Sequence, residues 1–110
     1  MAYIPDKGDF VWLNFTPQAG HEQRGKRPAI VLSPKSYTQK TGLALCCPIT
    51  SNVKGYPFEV IVDGGKIKGA VLSDHIKSLD WKVRQIKFIE KAKSNVLNEC
   101  IEKISVLIDA

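Results

Sequence analysis

Hydrophobic and polar positions alternate over residues 9–15. Val11, Leu13 and Phe15 fall on one face and Phe10, Trp12 and Asn14 on the other, which is the period of a strand. Pro17, Gly20 and Gly25 then break the pattern among polar side chains. They predict a loop of about ten residues, longer than an ordinary hairpin connection. Residues 28–33 form a continuous apolar run and predict a buried strand, and the polar stretch 34–42 has room for one helical turn. A third strand is expected over 43–49, with Pro48 making its end a bend or an edge. Residues 50–57 read as a second loop, 58–62 as a fourth strand and Asp63-Gly64-Gly65 as a tight turn. A fifth strand over 68–76 is weakened by Gly69, 78–81 reads as a turn, and 83–89 as a sixth strand.

The period changes near the end. Leu97, Cys100, Ile101, Ile104, Leu107 and Ile108 recur at helical spacing, Ser94 or Asn95 can cap the start, and Glu99 stands four residues before Lys103. A helix of about fifteen residues with one apolar face needs a sheet or a second subunit to cover it. Short strands followed by one helix predict a mainly β fold, a small curled sheet or barrel with a C-terminal α-helix packed on it.

The chain has 110 residues, the length of a single domain over 1–110, and its 44% hydrophobic content is that of a globular protein. Sixteen basic against eleven acidic residues leave a net charge of +5, which favours a polyanionic partner such as RNA, DNA or an acidic peptide. Three cysteines without a CxxC pair suit a reducing, cytoplasmic setting. Adjacent Cys46 and Cys47 should point to opposite faces of a strand as small buried hydrophobes. No signal-peptide pattern and no apolar run near the roughly 18 residues of a membrane span are visible.

Neither a GxxxxGK loop, nor HExxH, nor a paired-cysteine zinc spacing occurs, so no metal or cofactor is expected. The stretch His21-Glu22-Gln23-Arg24-Gly25-Lys26-Arg27 gathers three cations, a carboxylate and an imidazole. It is either a solvated hairpin tip or a site. Arg27 precedes Pro28, so its backbone should be extended at the mouth of a buried strand. Metal-free RNA cleavage uses the neighbouring 2′-OH. It needs a group that takes the hydroxyl proton, cations that stabilise the charged phosphorus, and a proton for the leaving oxygen. A carboxylate suits the first task, and a guanidinium fits phosphate oxygens but is a poor base. Thr50 or Ser51 is either a turn residue or a hydroxyl that holds a phosphate oxygen. Trp12, Phe10 and Asn14 either stack on bases, contact a second subunit, or face a second core. Lys77, Lys82, Arg84 and Lys87, with Lys54, form a basic track or are scattered surface charges. Asp74 can orient His75 or Arg27, or pin a turn, and His75 is a base or a structural side chain.

Several of these segments in order resemble the MazF/PemK family of toxins: Gly8-Asp9 with Trp12 and Phe15-Thr16-Pro17; Gly20-His21-Glu22-Gln23; Arg27-Pro28-Ala29-Ile30-Val31-Leu32-Ser33; Lys40-Thr41-Gly42; Cys47-Pro48-Ile49-Thr50; Lys54-Gly55-Tyr56-Pro57-Phe58-Glu59-Val60; and Ser73-Asp74-His75-Ile76-Lys77-Ser78. The likeness covers nearly the whole chain and is strongest to the MazF branch. It implies an SH3-like barrel, a homodimer, and a sequence-specific, metal-independent endoribonuclease that cuts single-stranded mRNA, at an ACA-like triplet, to leave 2′,3′-cyclic phosphate and 5′-OH ends. It also implies a toxin blocked by an extended acidic antitoxin. Carried onto this sequence, the catalytic residues are Glu22, Arg27 and Thr50, with His21 as the alternative base. The RNA-binding set is Trp12, Asn14, Gln23, Lys54 and Lys77. His75 stands where the resemblance more often has glutamine. A rival of another class is a non-catalytic module of the same fold, either RNA-binding or gripping gyrase through a Trp-Gly-Ile tail. This chain ends Val106-Leu107-Ile108-Asp109-Ala110, without that tail.

Overall fold

Neighbouring residues of the first strand enter two different cores, and this sets the architecture. A computed structural model describes residues 3–15 and 25–109. Its strands are β1 (Asp9–Asn14), β2 (Lys26–Val31), β3 (Leu43–Thr50), β4 (Glu59–Val62), β5 (Gly69–Leu72), β6 (Lys77–Asp80) and β7 (Lys87–Lys91). Two helices, α1 (Lys35–Thr41) and α2 (Ser94–Asp109), complete the elements, with a single 3₁₀ turn at Ser73–His75. The strands form one antiparallel sheet in the order β4-β5-β3-β2-β1-β7, with β6 also pairing with β3. This is the mainly β, curled sheet with a C-terminal helix that the sequence predicts.

Val11, Leu13 and Phe15 are fully buried with Ala29, Val31, Ala44, Cys46, Leu79 and Trp81 in one core. Phe10, Ile30, Cys47, Ile49, Val60 and Val71 turn to the other face and meet Val96, Cys100 and Ile104 of α2. The period-2 geometry of β1, β2 and β3 therefore serves both cores at once, and Cys46 and Cys47 separate as expected. Phe10 is a core residue, so base stacking is closed to it. Trp12, two residues on, stays 38% exposed. The helix stripe is also shorter than its spacing suggests: burial in α2 is confined to Val96, Cys100 and Ile104, while Ile101, Leu107 and Ile108 are exposed.

β3 pairs with β2 along one edge through Cys46, Cys47 and Pro48. On its other edge Leu43–Cys46 pair with β6, and Ile49 and Thr50 pair with β5. Pro48 lies in the gap between those two ladders, where its missing N–H costs no sheet bond. Proline thus marks a change of partner within the strand, and β3 continues through Thr50.

The stretch 73–91 departs most from the sequence reading. The expected fifth strand stops at Leu72 and gives way to the 3₁₀ turn, whose Ser73 is buried with its hydroxyl donating to the Phe58 carbonyl. The expected turn at 78–81 is β6, with Leu79 and Trp81 buried and the Trp81 indole N–H donating to the Thr38 carbonyl of α1 at 3.1 Å. Of the expected strand over 83–89, residues 83–85 form a turn, with Val83 exposed and Gln85 at φ 55, and the strand, β7, begins only at Lys87. The β1–β7 register shifts where Phe10–Glu90 gives way to Val11–Phe88, so one extra residue is accommodated there.

Candidate nucleic-acid interface

Arg27 sits in β2 and Thr50 ends β3. The β2–β3 ladder runs Val31–Cys46, Ile30–Cys47, Ala29–Pro48. The ladder ends there; continued by two residues, its register would put Arg27 level with Thr50 on one face of the sheet. Directly opposed residues of an antiparallel pair have Cβ atoms about 5 Å apart. The Thr50 hydroxyl oxygen accepts the Asn52 N–H at 3.1 Å, which leaves its own proton available for an acceptor. Arg27 is exposed and has an interaction within the molecule. Thr50 is held from a second side by β5, where Gly69 (φ +148) lies so close that a Cβ there would stand 2.1 Å from the Thr50 carbonyl oxygen.

Two concave surfaces meet near this strand pair. The first is a groove in two connected parts of about 520 and 340 Å³, sharing Trp12, Lys26 and Lys66. Lys87, Phe88 and Ile89 line its larger part, and Arg27, Pro28, Ile49, Ser51, Ile67 and Lys68 its smaller one. Five cations and two aromatic rings line it without a carboxylate. That combination attracts a phosphate chain and offers faces on which bases stack. The second is a cavity of about 370 Å³ lined by Thr50, Asn52, Lys54, Tyr56, Glu59, Leu72, Asp74 and His75. Lys54 Nζ stands 5.9 Å from the Tyr56 ring centroid, and His75 Nε2 lies 4.0 Å from Asp74 Oδ1.

Of the residues singled out from sequence, Trp12, Lys26, Arg27, Ser51 and Lys87 therefore lie in the first groove, and Thr50, Lys54, Asp74 and His75 in the second cavity. Asn14 lies at the end of β1, where its N–H donates to the Arg84 carbonyl and its carbonyl accepts Arg84 Nη1, both at 3.0 Å. Lys77 begins β6 opposite Cys46 and lines none of these surfaces. His21, Glu22 and Gln23 lie outside the described residues. The sequence reading missed Lys66 and Lys68, which flank Ile67 beyond the Asp63-Gly64-Gly65 turn and reach the groove. Their i, i+2 spacing puts both on one side of an extended segment and was the available signal. Among the described residues no group of three His, Cys, Asp or Glu side chains gathers as a metal site, and no helix is long and apolar enough to cross a membrane.

Fold and surfaces together define a small β-rich protein with a cationic, aromatic groove at the mouth of a strand pair. The chain belongs to the PemK-like, MazF-like toxins of type II toxin-antitoxin systems, whose family model matches residues 6–108. It is 46% identical over 106 residues to the endoribonuclease toxin MazF of Escherichia coli K12, covering 86% of this chain and 95% of that one. It is 51% identical to MazF in a crystal structure from Deinococcus radiodurans, with a TM-score of 0.95 over 99% of this chain and 100% of the other. A MazE–MazF crystal structure from the same organism superposes with a TM-score of 0.89 at 51% identity, over 98% of each chain.

Proposed function

We propose that this chain is a toxin endoribonuclease that cuts single-stranded RNA by attack of the 2′-OH on the adjacent phosphorus. The observation that carries the reading is the cationic groove lined by Trp12, Arg27 and four lysines, which lies beside the polar cavity lined by Thr50 on neighbouring strands. In the reaction Glu22, or His21 as its rival, takes the 2′-OH proton. The O2′–P bond forms as the P–O5′ bond breaks, and the leaving O5′ takes up a proton from water. The products are a 2′,3′-cyclic phosphate and a 5′-OH. Arg27 stabilises the charge that builds on the phosphoryl oxygens, a role suited to a guanidinium that stays protonated throughout. Thr50 donates a hydrogen bond from its hydroxyl to one of those oxygens. Trp12 and the lysines of the groove hold flanking nucleotides, with Lys54 serving the second cavity; Asn14, Gln23 and Lys77 complete the RNA-binding set.

The +5 charge gives the same groove a second use, capture of an acidic, extended MazE-like antitoxin. A homodimer working in the cytoplasm, as one domain and without a metal or cofactor, completes the reading. The test is cleavage of a mixed single-stranded RNA in excess EDTA beside a 2′-O-methyl copy. Cuts at a short motif with cyclic phosphate ends, a resistant methylated copy, and an Arg27→Ala protein that is folded but inactive are the expected results. An Arg27→Ala protein that cuts at the wild-type rate would remove the central assignment.

A further inference from the structure

The loop of residues 51–57 forms one wall of the second cavity, and all seven residues are exposed. It therefore contributes to neither core, and something other than packing has to fix its course. Among the described residues the hydrogen bonds that hold it come from its two flanks. Thr50 takes the Asn52 N–H at one end. At the other, Glu59 is only 7% exposed and faces back into the loop. Its carboxylate accepts the Lys54 N–H at 3.1 and 3.2 Å through its two oxygens, and the Gly55 N–H at 2.8 Å. Its own N–H donates to the Tyr56 carbonyl at 3.1 Å. Its backbone carbonyl is tied to α2 by Lys103 Nζ at 2.9 Å.

One buried residue thus grips three consecutive loop residues and is itself anchored to the terminal helix. A carboxylate that accepts backbone N–H groups makes stronger hydrogen bonds than a neutral acceptor. The two side chains it steadies, Lys54 and Tyr56, line the same cavity as Thr50. We infer that Glu59 is a positioning residue for RNA binding: it borders the cavity, but its carboxylate is engaged by the Lys54 and Gly55 N–H groups, and it acts by fixing the backbone from which Lys54 and Tyr56 reach the cavity. This rests on the endoribonuclease reading above.

The test uses the full chain and a defined single-stranded RNA that the wild type cuts, with a 2′-O-methyl copy for binding. Glu59→Ala, Lys54→Ala and the double variant are compared for KM, kcat and thermal midpoint. Glu59→Ala is expected to raise KM at least about tenfold, the scale of losing a charge-assisted contact, with kcat within about twofold. Adding Lys54→Ala to it should cost little more, because the lysine is already misplaced. Glu59→Gln keeps one acceptor oxygen for the Gly55 N–H and should recover most of the affinity. It also carries the comparison should the alanine variant fold poorly. An unchanged KM in Glu59→Ala, or effects of the two substitutions that simply multiply, would overturn the inference alone. A folded wild type that cuts no RNA in a mixed single-stranded pool, from which the defined substrate is chosen, and binds no methylated copy would overturn the functional reading and this inference with it.

Discussion

Gly69 is the residue whose substitution tests most directly how the fold holds the site. Its φ of +148 lies in a region that side chains avoid, and a Cβ there would stand 2.1 Å from the Thr50 carbonyl oxygen. Real Cβ contacts do not fall below 3.0 Å, so Gly69→Ala must move β3 or β5 by about 1 Å. Overpacking of this kind costs about 1–3 kcal/mol and the backbone strain about 1–3 kcal/mol more. Together they come to about 2–6 kcal/mol, a large share of the ~5–15 kcal/mol that separates a folded domain from its unfolded state.

The displaced group is the backbone of Thr50 itself, and with Thr50 in its proposed role a shift of about 1 Å should cost about a hundredfold in rate. Gly42 is the control: its φ is +74 but no atom lies within 4 Å of a Cβ built on it, so Gly42→Ala carries strain without a clash. Urea unfolding and RNA cleavage of both variants separate the two terms. Gly69→Ala should lose at least about 1 kcal/mol more stability than Gly42→Ala, and it alone should lose activity out of proportion to its unfolded fraction. Equal stabilities and unchanged cleavage would refute the close-contact argument.

Asp6 lies below the usual carboxylate value of 3.8: burial pushes it up, but the backbone N–H groups of Lys35 and Lys7 and the charges of Lys91 and Lys35 pull it further down. Its contribution to stability is therefore full above pH 4 and lost as pH falls through the lowered value. The gap between wild type and Asp6→Asn in urea unfolding should close between pH 4 and strongly acidic pH, and a gap that widens would contradict this. The thiols of Cys46 and Cys100 are pushed up to about 12 by burial, and Cys47 is raised by burial and by its neighbours Cys100, Cys46 and Asp74. At pH 8 the folded protein should resist a thiol-directed disulfide reagent while all three cysteines react in denaturant; prompt labelling of the folded chain would place a thiol at the surface. Lys66→Ala should flatten the dependence of log K on log salt for single-stranded RNA by about 0.7, the share of one phosphate contact, while Lys82→Ala, outside the groove, should leave the slope unchanged.

What was legible in the sequence follows the range of the interactions involved. β1 and the separation of Cys46 from Cys47 follow from a period of two, which is a local property. The segment 73–91 was misread because its pattern is set from a distance. Lys77–Asp80 is a strand because Leu43–Cys46 offer it an edge, and Trp81 is buried because α1 supplies an acceptor for its indole N–H. Arg27 and Thr50 stand out from the chemistry that RNA cleavage demands and from a family resemblance, and they lie on neighbouring strands whose ladder ends at Ala29 and Pro48. Lys66 and Lys68 were not found, because they count only once the chain folds back beside Trp12. Glu59 passed as an ordinary strand residue, since the backbone N–H groups it serves belong to a loop whose course cannot be read from side-chain pattern.

β3 explains why the fold and the site stand or fall together. It pairs with β2, β6 and β5, gives Cys46 to one core and Cys47 to the other, and ends on Thr50. Because side chains alternate along a strand, a slip of one residue would exchange those cores' contributions and turn Thr50 away from the face it shares with Arg27. Register in such a strand is fixed by the close packing of particular side chains on both faces. The hydroxyl at its end is thus located by packing several residues away. That rigidity is what a group needs if it is to meet a phosphate oxygen without first reorganising. The loop beyond it has no such packing, and its geometry has to come from hydrogen bonds to Thr50 and Glu59. The two walls of the cavity are therefore held by different physics. Substitutions in the cores should act on Thr50 through stability, and those at Glu59 on Lys54 and Tyr56 through affinity.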